Sequence, residues 1–180
     1  MTLLVPADAM LTPIREPDFA VLSELAGIIW RQHYTAIISA AQIEYMLSSR
    51  FTDEALREHL QAADRWLELL RVSGTPVGYC GYELADMNDD GDEHGPPAMK
   101  LGQLYVLESH RVMGLGRFML GHIESRTHEL GKEKLWLQVN KRNTGAIAFY
   151  RAAGFEVIRE AVFDIGSGFV MDDYVMAKRV

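Results

Sequence analysis

Apolar residues in the first third of the chain recur three and four apart. Leu22, Leu25, Ile29 and Trp30 line one face of a segment from Asp18 to Tyr34, and that spacing predicts an amphipathic helix. A short strand, Thr12 to Glu16, precedes it. Ser39 to Ser48 reads as a second helix and Asp53 to Ala62 as a third, with Thr52 or Asp53 as its cap and Leu56 and Leu60 on one face. The periodicity then changes. Arg65 to Val72 and Val77 to Leu84 flank the turn chemistry Ser73-Gly74-Thr75-Pro76, which predicts an antiparallel hairpin, and Met99 to Leu107 is a further long strand. Helical spacing returns from Gly114 to Leu130, with Met119, Leu120, Ile123 and Leu130 on one side and Gly131 just beyond the end. Lys134 to Val139 is a strand. Asn143 to Ala153 is a helix with Asn at its N-cap and Gly154 after it, and Phe155 to Asp164 and Val170 to Lys178 form a closing strand pair around Gly166-Ser167-Gly168. The alternation is mixed α/β. With no repeat and no linker, residues 1–180 read as one domain, interrupted by a polar loop from Asp86 to Pro97.

Composition narrows the function classes. The chain of 180 residues is 48% hydrophobic and 24% charged, which excludes a disordered or low-complexity protein. Its 25 acidic against 18 basic residues leave a net charge of −7. That balance opposes nucleic-acid binding or a polybasic membrane contact, since phosphate neutralisation needs a cationic surface, and suits a cationic small substrate. Cys80 is the only cysteine, so neither an internal disulfide nor a cysteine zinc site can form, and the expectation is a reducing, cytoplasmic setting. Leu3-Leu4-Val5 is too short for the core of a signal peptide, and no apolar run reaches the roughly 20 residues of a membrane span.

The segment richest in chemistry runs from Leu104-Tyr105-Val106-Leu107 through Glu108-Ser109-His110 to Arg111-Val112-Met113-Gly114-Leu115-Gly116-Arg117. A strand delivers a glycine-containing turn to a helix N-terminus, where backbone N–H groups and the positive end of the helix dipole favour an anion, a pyrophosphate in particular. A tight turn with close helix–strand packing is the plain alternative. A P-loop needs Lys and Ser or Thr after its last Gly, whereas Arg117-Phe118 follows Gly116. A dinucleotide fingerprint meets Met119 where its third small residue belongs.

The remaining pattern, Arg-x-x-Gly-x-Gly after an apolar strand, resembles the acetyl-coenzyme A loop of the Gcn5-related N-acetyltransferase (GNAT) family, with Arg111, Gly114 and Gly116 at its positions. Leu135-Trp136-Leu137-Gln138-Val139-Asn140, then Asn143, Ala146, Phe149-Tyr150 and Gly154-Phe155, is similar to that family's second motif. The full length, including Gln42 to Leu47 and Met176-Ala177-Lys178, more loosely resembles the bacterial polyamine (spermidine/spermine) branch.

The resemblance implies a single-domain α/β (α+β) fold with a mixed, mostly antiparallel sheet, splayed between two strands and flanked by helices. It implies acetyl-CoA as co-substrate and no metal. The pantetheine arm would pair with backbone groups of Leu104, Tyr105 and Val106, the amides of Arg111, Val112, Met113, Gly114, Leu115, Gly116 and Arg117 would hold the pyrophosphate, and Asn140 and Asn143 would contact the pantetheine. Asn143 also reads as a plain helix cap. The implied reaction is direct attack of a primary amine on the thioester, with Tyr150 as general acid toward the leaving thiolate; a half-buried core aromatic is the alternative reading of Tyr150.

An alkylamine is mostly protonated at pH 7, so freeing its lone pair costs about 4.6 kcal/mol unless a base assists. Family members often carry a carboxylate on the strand before the loop; here that region holds Lys100, Gly102 and Gln103. Glu83, Glu108, Glu44 and His33 are the candidates, although each reads more readily as a solvated surface group. Trp30, Tyr34 and Tyr45 could wall an amine pocket, although aromatic residues at helical spacing more often pack a core. Asp86-Met87-Asn88-Asp89-Asp90-Gly91 opens like a calcium loop but has Pro97 at the twelfth position, which argues against calcium. The expected acceptor is a polyamine or other small cationic amine. A peptide N-terminus, an aminoglycoside, a catalytically idle acetyl-CoA sensor and a nucleotide-binding module remain alternatives. A homodimer is admissible, symmetric pairs being the commonest oligomers.

Overall fold

The structure, a computed structural model, describes residues 5–87 and 97–180. The polar loop and the calcium-like run therefore fall largely on residues 88–96, outside the described residues. Among the described residues seven strands and five α-helices follow in order: β1 Met10–Pro13, α1 Phe19–Tyr34, α2 Ala40–Arg50, α3 Asp53–Gln61, β2 Arg65–Val72, β3 Thr75–Asp86, β4 Pro97–Val106, α4 Leu115–Glu129, β5 Lys134–Asn140, α5 Thr144–Ala152, β6 Glu156–Gly166 and β7 Phe169–Arg179. The strands lie in one sheet in the order β1-β2-β3-β4-β5-β7-β6. The chain divides into two compact units. One comprises residues 1–82 and 103–123, the other 83–102 and 124–180.

In the first unit β1 pairs antiparallel with β2, from Met10↔Arg71 to Pro13↔Glu68. β1 starts and ends earlier than its sequence pattern predicts, because Glu16-Pro17-Asp18 forms a 3-10 turn leading into α1, with Pro17 preset for the first turn. The predicted apolar stripe of α1 is seen, with Leu22, Leu25, Ala26, Ile29 and Trp30 buried. Ser39 caps α2 by accepting from the Gln42 amide, and Thr52 caps α3 by accepting from Ala55. The β2–β3 hairpin closes through two residues, not four: Ser73 and Gly74 both have positive φ, 50° and 77°. Two left-handed residues match the twist of a two-residue hairpin, and Pro76 then lies inside β3.

In the second unit β5 pairs with β4 in parallel, Met99↔Leu135 to Leu101↔Leu137, and with β7 antiparallel from Lys134↔Arg179 to Asn140↔Asp173. β6 and β7 form a long hairpin with register shifts at Val157/Arg159 and Asp164/Gly166. Met87, Ala98, Trp136, Val175 and Ala177 form a core cluster here, with Ile158, Ala161 and Phe163 against it. Lys141 fastens the hairpin: its Nζ lies 2.8 Å from Glu160 and 2.6 Å from Asp172, and the two carboxylates hold the ammonium above its ordinary range. Among the described residues no helix is long and apolar enough to cross a membrane.

Candidate active site

The first unit holds the strand end and the glycine turn. β4 stops at Val106, and the Leu107 amide donates to Val77 O at 2.8 Å. A 3-10 turn, Glu108–His110, leads to Arg111, and α4 opens at Leu115. Between them Val112 and Gly114 both adopt left-handed backbone, φ 61° and 74°. Alternating left-handed residues turn successive N–H groups toward one side, which makes a concavity for an anion. The first N–H groups of a helix have no carbonyl one turn back, so Leu115 and Gly116 extend that row of donors, at the positive end of the α4 dipole. Val112 is the unusual member, because a β-branched residue in this conformation costs on the order of 1–3 kcal/mol. It is also 85% exposed, so no packing of its own side chain accounts for the conformation.

This arrangement fits a diphosphate, with one change from the sequence reading. The Arg111 amide already donates to Glu108 O at 3.2 Å, so Arg111 has only its exposed side chain to offer an anion.

Leu104, Tyr105 and Val106 are half-buried. The parallel ladder of β4 with β5 ends at Leu101↔Leu137, before these residues. β3 approaches their backbone closely: a Cβ added at Gly78 would lie 2.4 Å from Tyr105 O and 3.3 Å from Val106 Cα. On one side stands an aromatic group. Trp30 Nε1 donates to the Tyr79 hydroxyl at 2.8 Å, the Tyr34 and Tyr105 hydroxyls are 2.8 Å apart, and the Trp30 and Tyr105 ring centroids are 5.7 Å apart. Trp30 and Tyr79 are buried, which bears out core packing for Trp30; Tyr34, Tyr45 and Tyr105 are half-buried. Burial, with Tyr105 adding to it, pushes the Tyr79 phenol well above its ordinary value, so it stays protonated.

The second unit holds the other motif. Asn143 is the N-cap of α5, its side chain accepting from the Ala146 amide at 3.4 Å, so the cap reading holds. Asn140, buried at the end of β5, accepts from the Arg142 amide at 3.0 Å. Tyr150 is half-buried on α5, its ring 5.2 Å from Phe149 and 5.5 Å from Phe155.

The base candidates fare unequally. Glu44 is exposed and bonded through both oxygens to Arg31, at 2.7 and 2.8 Å, and that guanidinium holds its carboxyl below the usual range, which makes it a poor proton acceptor. Glu83 lies 3.8 Å from Lys100 Nζ, which sits 4.8 Å over the Trp136 ring. Glu108 is exposed in the 3-10 turn, and the His33 ring meets Tyr34 edge-on at 4.9 Å.

Sequence reasoning missed the two buried carboxylates among the described residues, Glu68 and Asp173. Glu68 Oε2 lies 2.8 Å from His122 Nε2 and accepts from the Tyr82 hydroxyl at 3.2 Å. Its signal was a lone charge inside Leu67-Glu68-Leu69-Leu70. Asp173 stands opposite Asn140 on β7. Among the described residues no group of three or more His, Cys, Asp or Glu is placed to hold a metal ion.

The Acetyltransferase (GNAT) family matches this chain over residues 24–155, a span containing the glycine turn, Asn140, Asn143 and Tyr150. The chain belongs to the GNAT acetyltransferase family. It is therefore an acetyl-CoA-dependent N-acetyltransferase. Among curated relatives, this N-acetyltransferase is 26% identical to an uncharacterised N-acetyltransferase of Mycobacterium tuberculosis over 160 residues, 87% of this chain and 96% of that one. It is also 26% identical to one of Lactobacillus delbrueckii subsp. lactis over 120 residues, 67% of this chain and 68% of the other. Its fold is that of the GNAT protein of Rhodopseudomonas palustris, with TM-score 0.78 and 18% identity over 100% and 99% of the two chains. The PaiA N-acetyltransferase of Thermoplasma acidophilum, solved with coenzyme A, gives 0.76 and 19% over 96% and 99%. Naa50 of Arabidopsis thaliana, solved with the bisubstrate analogue CoA-Ac-MVNAL, gives 0.64 and 20% over 96% and 99%.

Proposed function

We propose that this N-acetyltransferase moves acetyl onto a primary amine of a polyamine or another small cationic molecule, by direct attack. The observation that carries the acceptor class is the net charge of −7, which draws a polycation toward the protein and disfavours polyanions. We assign the backbone N–H groups of Val112, Met113, Gly114, Leu115, Gly116 and Arg117, with the Arg111 side chain, to the diphosphate, and the backbone of Leu104, Tyr105 and Val106 to the pantetheine arm. Asn140 and Asn143 contact that arm through the side-chain groups that their bonds to the Arg142 and Ala146 amides leave over. Acetyl-CoA supplies an acyl group on a thiolate that leaves readily. Tyr150 holds the proton that the departing sulfur takes up; a positioned acid of this kind contributes roughly 10²–10⁴-fold. We further propose that residues 1–180 form one domain and that Cys80 stays in a reducing, cytoplasmic setting.

A thiol-release assay with acetyl-CoA against spermidine, aminoglycosides and peptides tests the acceptor. The expected result is a kcat/KM for spermidine or a like amine well above that for any peptide. Turnover of peptides alone overturns the polyamine assignment, and tight coenzyme binding without turnover on any amine overturns catalysis.

A further inference from the structure

The helix that carries Tyr150 is short, nine residues, and ends at Ala152. Its last carbonyls have no partners within the helix and need donors from elsewhere. Tyr150 O is met locally, by the amides of Ala153 and Phe155, both at 3.0 Å. Ala153 O is met from another element. Lys178 Nζ, on β7, donates to it at 3.1 Å and also to Glu124 Oε1 at 2.5 Å on α4. The same ammonium lies 5.4 Å over the ring of Phe155. Phe155 in turn is the ring against which Tyr150 leans, at 5.5 Å and 63°.

The Lys178 side chain is only 14% exposed. An ammonium in that setting is costly unless its donors are met. A methionine, one atom shorter, would fill most of that space without that cost, so packing alone does not call for a charge here. What the charge adds is a bond to the end of α5, at the negative end of the helix dipole, and a hold on the ring beneath the tyrosine.

We propose that Lys178 is a positioning residue for Tyr150. It fixes the C-terminal turn of α5 through Ala153 O and the tyrosine ring through Phe155, so the phenol is held where the proton must be delivered. This rests on the reading of Tyr150 as general acid. A misplacement of about 1 Å in a reacting group costs on the order of 10²-fold, so the hold is worth detecting in kcat.

The test is a double-mutant cycle of Lys178→Met and Tyr150→Phe, with Lys178→Arg as rescue, read as kcat and KM for acetyl transfer. Lys178→Met is expected to lower kcat roughly 10–100-fold with less than about threefold change in KM for acetyl-CoA. Lys178→Arg, which can still reach both acceptors, is expected to restore most of it. In the Tyr150→Phe background, Lys178→Met is expected to cost no further kcat, because the group it positions is gone. An equal loss in both backgrounds assigns Lys178 a general structural role and overturns the inference, as does unchanged kcat in Lys178→Met. Lys178→Gln, which keeps a donor without the charge, provides the same cycle if the methionine variant does not fold. The two failures are distinct. Full kcat in Tyr150→Phe removes the acid assignment and this inference with it, whereas loss in Tyr150→Phe beside an intact Lys178→Met removes this inference alone.

Discussion

At the scale of single residues, Cys80 decides how cleanly the chemistry can be watched. Its thiol is fully buried on β3, and burial first, then the Glu68 carboxylate, pushes it far above the ordinary value of 9.0. The thiolate is the reactive form, so folded protein is expected to show no titratable thiol toward a disulfide reagent over the minutes of an assay, and one after denaturation. Rapid labelling of the native protein would show the buried setting to be wrong. Linkage gives a second, slower signature. A thiol that keeps its proton when folded but loses it when unfolded adds stability that is complete below pH 9.0 and declines as pH rises above it. Tm is therefore expected to fall on the alkaline side of 9, less steeply in Cys80→Ala than in the wild type. The residue scale also shows where sequence is opaque. Asn143 as a cap was legible because capping depends on neighbours three residues away. Glu68 was not, because the Tyr82 and His122 that meet it lie 14 and 54 positions along the chain, on other elements.

At the scale of elements, β3 and β4 are bound to each other by an absence of side chain. Gly78 is buried, and the atom nearest to a Cβ there is backbone, Tyr105 O at 2.4 Å, followed by Leu70 Cδ2 and Val106 Cα, both at 3.3 Å. Backbone cannot move aside as the end of a flexible side chain can. Gly78→Ala is expected to displace the Tyr105–Val106 backbone and so raise KM for acetyl-CoA at least about tenfold, with a loss of about 1–3 kcal/mol in stability from overpacking. Unchanged KM in a destabilised variant would detach that strand end from cofactor binding. Elements were mostly legible in existence and misplaced at their edges. Helices α1 to α5 lie within a few residues of their predicted spans, since each has its own periodicity, and α2, α3 and α5 carry side-chain caps as well. β1 shifted toward the N-terminus because Glu16-Pro17-Asp18 forms a 3-10 turn, and both hairpins narrowed to two-residue turns because Ser73 and Ser167 accept the left-handed conformation that a pattern reading reserves for glycine.

At the scale of the whole molecule, the order β1-β2-β3-β4-β5-β7-β6 was the least legible feature. Which strand pairs with which is a matter of long-range contact, and no local pattern in Val170 to Lys178 says that β7 lies inside β6; the family resemblance supplied a mixed sheet, and the pairing itself came from the structure. Net charge, by contrast, is legible without any structure and acts at this same scale. A molecule at −7 attracts a polycation over distances comparable to the Debye length, about 8 Å at physiological salt and 3 Å at 1 M. If that field helps to gather the acceptor, kcat/KM for a tri- or tetra-amine should fall several-fold as salt rises from about 0.05 to 0.5 M, while kcat at saturation changes little, since screening affects encounter more than the positioned step. A neutral-backbone monoamine of similar length carries fewer charges and should respond less. Equal salt dependence for monoamine and polyamine would mean that the acidic surface serves solubility alone, and acceptor choice would then have to come from short-range contacts such as the half-buried tyrosines 34, 45 and 105.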